Sequence, residues 1–127
     1  MITPPVRVTL RHLLKSYDDV QIVGEAGDGK QALQMMASCQ PGVILMDLNM
    51  PRMNGIEAST LIRKTWKDTV IIGVCAIQDA YTMEAFLKAG AVAVISKDRL
   101  DELHDTIQRA CANLSRSIGF TSEAGKP

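Results

Sequence analysis

The sequence predicts an α/β fold of three layers, in which a doubly wound parallel sheet lies between two layers of helices. Four short apolar runs support this, at residues 20–23, 43–46, 70–74 and 92–95. Each run is nearly continuous and mostly β-branched, which is typical of strands buried on both faces of a parallel sheet. Amphipathic stretches with helical spacing alternate with these runs, so the predicted order is α-β-α-β-α-β-α-β-α. A length of 127 residues suits one domain.

The first predicted helix precedes every strand, which is unusual for this architecture. The alternative is a strand at residues 6–10, but about nine residues would then separate it from the next strand, and a parallel crossover needs roughly ten or more. Asp28 is the predicted N-cap of the second helix, and Gly90 is predicted to end the fourth. The fifth helix is expected to end near residue 114, and residues 115–127 are predicted to form a frayed tail because they show no apolar period.

Composition excludes several classes of protein. Lys and Arg number 14, as do Asp and Glu, so the formal net charge of +0 gives no reason to expect direct binding of nucleic acid. No apolar run approaches 18 residues, so no membrane contact is predicted. Cys39, Cys75 and Cys111 are far apart and odd in number, which favours free thiols in a reducing cytoplasm over disulfides or a zinc site.

Candidate site residues follow the apolar runs, because ligands of open parallel sheets bind at the carboxyl ends of strands. Asp47 comes directly after a buried run, where a carboxylate is costly unless it is paired. Lys97 follows the last run and could reach across the sheet to Asp47 or to a phosphoryl group. The simpler interpretation makes Asp47 a loop-ordering cap and Lys97 a surface lysine at a helix start.

Four segments resemble the receiver domain of two-component response regulators, most closely the subgroup with a C-terminal helix-turn-helix. They are Gly24–Gly29 (GEAGDG), Leu45–Ala58 (LMDLNMPRMNGIEA), Ala89–Ala91 (AGA) and Ser96–Asp98 (SKD). The match spans roughly residues 4–114, which defines the predicted receiver-like domain as residues 1–114. The Met-Asp-x-x-Met-Pro-x-Met-x-Gly run, followed by Lys97 at a suitable distance, is the most specific part.

The resemblance implies a five-stranded, flavodoxin-like sheet in the order 2-1-3-4-5. It implies a non-enzymatic signalling domain in which Asp47 accepts a phosphoryl group from a histidine kinase or phosphotransfer protein. Lys97, Cys75 and Ala76 would contact that group, and Pro51 and Gly55 would shape the loop. Mg²⁺ would be held by Asp47 and the backbone carbonyl of Asn49.

The chain departs from the family at several points. Aligning residues 6–11 with the family's first helix puts Met1 and Ile2 where an acidic pair should hold Mg²⁺, and the first strand would precede Met1. We therefore expect an incomplete metal site with weak or absent Mg²⁺ binding, and a gap or unpaired edge in the sheet. Glu25 is a weak candidate to replace the pair. Cys75 stands where the family has Ser or Thr, Val94 where it often has an aromatic, and Gly73 should loosen its strand.

Several alternatives stay open from the sequence. A pseudo-receiver that binds partners without phosphorylation would fit the missing acidic pair. A start upstream of Met1 would restore the first strand, and without that strand a homodimer or strand exchange is expected. The spacing of Gly24, Gly27 and Gly29 resembles a dinucleotide loop in the wrong order, and Asp47-x-Asn49 resembles a phosphatase motif that lacks its second acid.

Overall fold

A computed structural model describes residues 6–48, 53–76, 79–110 and 117–121. Strands and helices alternate as the sequence predicted, around one parallel sheet with the order β1-β5-β2-β3-β4. None of the helices in the described ranges is both long and apolar enough to cross a bilayer. The elements are α1 Val6–Lys15, β1 Gln21–Ala26, α2 Gly29–Cys39, β2 Val43–Asp47, α3 Gly55–Thr65, β3 Val70–Cys75, α4 Ala80–Lys88, β4 Ala93–Ser96, a 3₁₀ helix Lys97–Glu102, α5 Leu103–Ala110 and β5 Ser117–Thr121.

An interior place of the sheet, between β1 and β2, is filled by the last described strand, β5. β5 runs parallel to β1, from Gln21 opposite Ser117 to Ala26 opposite Thr121. It also runs parallel to β2, where Gly119 lies opposite Ile44. The prediction of a frayed tail is therefore wrong for residues 117–121, and the predicted gap is filled. The segment SIGFT alternates apolar and other residues over five positions, with a glycine at its middle, which is too short a pattern to indicate a strand, and its stability comes from pairing with two distant strands.

Two apolar clusters fill the space on either face of the sheet, which confirms the three-layer architecture. β2 contributes to both, because Leu45 faces α1 and α5 whereas Ile44 and Met46 face α2, α3 and α4. This double burial explains why the run at residues 43–46 is continuously apolar. Burying a side chain of this size stabilises the fold by about 1.5–3 kcal/mol. Fully buried helical side chains complete the clusters: Leu10, Leu14, Leu103 and Ile107 on one face, and Ala32, Met36, Ala58, Ile62 and Phe86 on the other.

Helix ends follow the sequence closely. The Asp28 side chain accepts a hydrogen bond from the Gln31 backbone N–H at 2.8 Å, which confirms the predicted N-cap of α2. Asn54 and Glu57 form a reciprocal capping box at α3. Gly90 follows the last residues of α4 with a φ of 114°, a conformation that favours glycine, as its predicted role at this end requires.

Polar contacts join α5 to the turn between α1 and β1. His104 Nε2 lies 2.7 Å from Asp19 Oδ1, and Gln108 donates to Asp19 Oδ2 at 3.2 Å. The His104 ring also stacks on Tyr17, with centroids 4.2 Å apart. The hydrogen bond from His104 is the main reason why the pKa of Asp19 is lowered. These contacts hold the end of the chain that leads into β5 against the α1 side of the sheet.

Gly73 lies in the middle of β3, where its missing side chain leaves room for Phe86. A Cβ at this position would come within 2.9–3.0 Å of three atoms of the Phe86 ring. The ring is fully buried in the cluster of α2, α3 and α4. The glycine that was expected to loosen β3 therefore leaves the space into which the Phe86 ring packs.

We predict that Gly73→Val lowers the free energy of unfolding by about 1–3 kcal/mol, because the new side chain overlaps a rigid ring in a filled core. Urea denaturation would measure the loss. The control is the same substitution in a Phe86→Ala background, where the ring is absent and the added cost of valine should shrink. An equal cost in both backgrounds would show that the ring is not the cause.

Candidate functional site

Asp47 is the last residue of β2 and lies at the carboxyl edge of the sheet. Parallel pairing with β3 continues to this residue, which lies opposite Val74, and the Leu48 N–H still donates to the Val74 carbonyl at 3.0 Å. The Asp47 side chain is 1% exposed. A carboxylate buried this deeply is costly without a charge partner, so its surroundings decide its state.

Lys97 supplies a positive charge to Asp47. Its Nζ lies 3.0 Å from Asp47 Oδ1 and 3.3 Å from Oδ2, and its side chain is 16% exposed. The lysine follows β4, whose last residue Ser96 lies opposite Cys75 in β3. Lys97 therefore reaches over the end of β3 to β2, and the predicted pairing of the two residues is confirmed.

Gly55 brings the start of α3 against the end of β2. Its N–H donates to the Leu48 carbonyl at 3.0 Å, and a Cβ at this position would overlap the Asp47 carbonyl oxygen. A glycine is thus required where the first residue of α3 lies against the end of β2, and its loop-shaping role stays a prediction. Pro51, predicted to shape the same loop, and Asn49, whose carbonyl was expected to bind Mg²⁺, lie outside the described residues.

Cys75 ends β3 beside the ion pair and is fully buried. Burial is the main cause that raises the pKa of its thiol, and the negative charge of Asp79 adds to it, while Lys97 acts in the opposite direction. The sulfur is therefore a protonated thiol, which is a weak hydrogen-bond donor. Ala76 follows as an exposed residue at the same edge, and Val94 is a half-buried aliphatic residue within β4.

Glu25 does not add a free carboxylate to the site. Arg11 of α1 grips it with Nε at 2.8 Å and a terminal nitrogen at 2.7 Å, a bidentate pair. The same pairing raises the pKa of Arg11. Sequence reasoning missed Arg11, although its position one helical turn before the buried Leu14 could have placed it on the sheet side of α1.

The described residues do not by themselves make a magnesium site. No group of three or more His, Cys, Asp or Glu side chains in the described ranges could hold a metal ion. Mg²⁺ prefers an octahedron of oxygens and usually needs one or two carboxylates. Asp47 offers one carboxylate, which already faces Lys97.

The glycines of the segment 24–29 make local contacts within the fold. Gly24 lies within β1, where a Cβ would come within 2.8 Å of the Met35 sulfur, and Gly29 begins α2, where a Cβ would come within 2.6 Å of Met53. Gly27 donates its N–H to the Gln31 side chain at 2.7 Å. Close packing thus favours glycine at positions 24 and 29.

Known proteins resemble this chain in sequence over most of its length. Residues 3–108 match the family model described as "Response regulator receiver domain". A transcriptional regulatory protein of Bacillus subtilis, YxjL, is 38% identical over 109 residues, which cover 84% of this chain and 50% of that protein. A protein-glutamate methylesterase/protein-glutamine glutaminase of Hahella chejuensis is 33% identical over 123 residues, 95% of this chain and 35% of that protein. The chain thus spans half or less of these relatives.

A solved structure shares the fold at high coverage. The signal receiver domain of a NarL response regulator from Mycobacterium tuberculosis superposes with a TM-score of 0.79 and 25% identity, covering 86% of this chain and 89% of that one. Regulators with quite different outputs therefore share this region. The flavodoxin-like sheet and the family match agree, and the chain belongs to the receiver domain family of two-component response regulators.

Proposed function

We propose that Asp47 is the phosphoacceptor of this receiver domain and that the phosphoryl group comes from a histidine kinase or a phosphotransfer protein. Phosphorylation of an aspartate is the function of the family. The observation that carries the assignment to Asp47 is its place at the carboxyl edge of the sheet, buried and paired with Lys97. Nothing in the relatives or the described residues favours the alternative of a pseudo-receiver.

The proposed chemistry is a transfer from nitrogen to oxygen. A carboxylate oxygen of Asp47 attacks the phosphorus of a phosphohistidine, the O–P bond forms as the N–P bond breaks, and the leaving imidazole takes up a proton. The product is an acyl phosphate. Such transfers depend mainly on positioning and on neutralising charge at the phosphoryl oxygens. The Lys97 Nζ lies 3.0 Å and 3.3 Å from the two carboxylate oxygens of Asp47. It is therefore close enough to pair with the oxygens of a phosphoryl group that is attached to this carboxylate.

Signal output is proposed to be weaker than in receivers with a hydroxyl at position 75. The Cys75 thiol is buried and protonated, and a thiol is a weak donor to phosphoryl oxygens. Val94 offers no aromatic ring that could turn inward on phosphorylation. Ala76 is left to contact the phosphoryl group through its backbone.

Partners are proposed to be proteins of the cytoplasm. Receiver domains act with histidine kinases or phosphotransfer proteins. The formal net charge of +0 supports protein partners over nucleic acid for this chain. The named relatives couple a matching region to a transcriptional regulator in one case and to an esterase in another, so the output of this protein is not assigned. We propose a signalling role without catalysis for this domain.

We predict that phosphorylation of this domain depends on Asp47. Incubation with acetyl phosphate and Mg²⁺ should add one phosphoryl group, detected by intact-protein mass spectrometry. Asp47→Asn should abolish the adduct because the attacking oxygen is lost, whereas Asp68→Asn, in the exposed turn before β3, should leave it unchanged. An adduct that persists in Asp47→Asn would overturn the assignment.

We also predict that the ion pair between Lys97 and Asp47 stabilises the fold. Lys97→Met should lower the free energy of unfolding by about 2–4 kcal/mol, because it leaves a buried carboxylate without its cation. The matched control is Lys88→Met, which removes an exposed pair with Glu84 and should cost at most about 0.5 kcal/mol. Adding Asp47→Asn to Lys97→Met should recover part of the loss. Similar costs for both lysines would contradict a buried, paired Asp47.

We further predict that this domain binds Mg²⁺ weakly. Mg²⁺ titration by calorimetry should show weaker binding than a receiver domain that retains its acidic pair, measured in the same buffer. The reason is that Asp47 already faces Lys97, Glu25 is paired with Arg11, and no group of three His, Cys, Asp or Glu side chains in the described ranges could hold a metal ion. Equal affinity in the two proteins would mean that ligands beyond these residues complete the site.

A further inference from the structure

β5 connects two parts of the sheet that share no other strand pairing in the described chain. β1 is hydrogen-bonded to β5, and β5 to β2, while β1 and β2 have no direct ladder. If β5 departs, two strand edges are left one strand-width apart. Unpaired strand edges bind other strands readily. The space between β1 and β2, here called the central slot, is therefore shaped to hold one parallel strand.

The slot also selects for sequence. Gly24 of β1 and Gly119 of β5 are register partners, and the Met35 side chain of α2 covers both. A Cβ on Gly119 would come within 2.9 Å of Met35 Cε and 3.1 Å of Pro41 Cγ, and one on Gly24 within 2.8 Å of Met35 Sδ. A larger residue at this register would require the flexible end of Met35 to shift and would also come close to Pro41, so glycine is favoured there. The segment Ser117–Thr121 (SIGFT) has that glycine at its centre.

The slot and the strand that fills it lie far apart in the chain. β5 is the last described element, and six residues separate its start from the end of α5. Beyond the backbone pairing to β1 and β2, β5 contacts α2, and its Gly119 also lies close to Pro41. A strand of the same sequence from another molecule could make each of these contacts in the same register.

We propose that the central slot is a strand-binding site that also accepts Ser117–Thr121 from a second copy of this chain, so that two copies dimerise by reciprocal exchange of β5. The exchanged dimer repeats every ladder of the monomer, so the two forms differ mainly in the entropy of linking the strand and in the conformation of the connection. Protein concentration then sets their ratio. This inference does not rest on phosphorylation of Asp47.

The principal experiment traps the strand where it lies. Gln21 and Ser117 are register partners at the amino end of β1 and β5, and Gln21 is exposed. Gln21→Cys and Ser117→Cys are introduced together into full-length protein whose three native cysteines are replaced by serine. Equal amounts of ¹⁴N- and ¹⁵N-labelled protein are mixed, incubated at low or high concentration, and oxidised.

Exchange predicts a disulfide between position 21 of one isotope and position 117 of the other, in a covalent dimer whose share rises with concentration. Mass spectrometry of the digested dimer identifies the linkage. The single Ser117→Cys variant controls for chance disulfides between two copies of position 117. Linkages found within single chains at every concentration would overturn the proposal.

A second experiment tests the selectivity of the slot. Gly119→Val should weaken the binding of the chain's own strand, because the branched side chain must displace the end of Met35 and also meets Pro41. A labelled peptide of residues 115–123 should then bind this full-length variant at least about tenfold more tightly than wild type, whose slot is already filled. The same peptide with valine in place of glycine should not bind. Equal binding of both peptides, or equal binding to both proteins, would refute a strand-selective slot, and the disulfide test stands if the variant does not fold.

Discussion

Backbone pairing of β5 with both β1 and β2 is the constraint on which the sheet depends. Without it, β1 would have no strand partner in the described structure, and β2 would have one open edge. β2 carries Asp47 at its end, two residues beyond the last register pair with β5, Leu45 and Phe120. The geometry of the site therefore rests on a segment from the opposite end of the chain. Met35 packs over Gly24 and Gly119, which are partners in this register.

The sheet of this chain has the strand arrangement of its family, but one strand comes from a different part of the chain. Receiver domains are expected to have the order 2-1-3-4-5, with their first strand second in the sheet. Here the second place is taken by the last described strand, β5, which lies outside the matched residues 3–108. A parallel sheet needs a strand of the right direction and width at that place, and backbone ladders do not depend on where in the chain the strand originates.

Electrostatics at the carboxyl edge follows from burial. Asp47 is almost fully enclosed, so Lys97 is held close to both of its oxygens, and the nearby Cys75 thiol is kept protonated mainly by its own burial. Arg11 forms an ion pair with Glu25 at the end of β1, and Lys97 forms one with Asp47 at the end of β2. The lysine beside Asp47 is consistent with the phosphoacceptor role proposed for that carboxylate.

The sequence by itself determined the alternation of strands and helices, the caps at Asp28 and Gly90, and the candidate pair Asp47 and Lys97. These features are local: apolar period, turn chemistry and position after a buried run can be read without knowing the fold. The sequence could not reveal β5, the contact between Arg11 and Glu25, or the packing of the Phe86 ring against Gly73. Each of these joins residues far apart in the chain, and a short segment such as Ser117–Thr121 becomes a strand because two neighbouring edges need it. Tertiary structure alone decided them, since the stabilising hydrogen bonds and packing exist once the sheet has assembled.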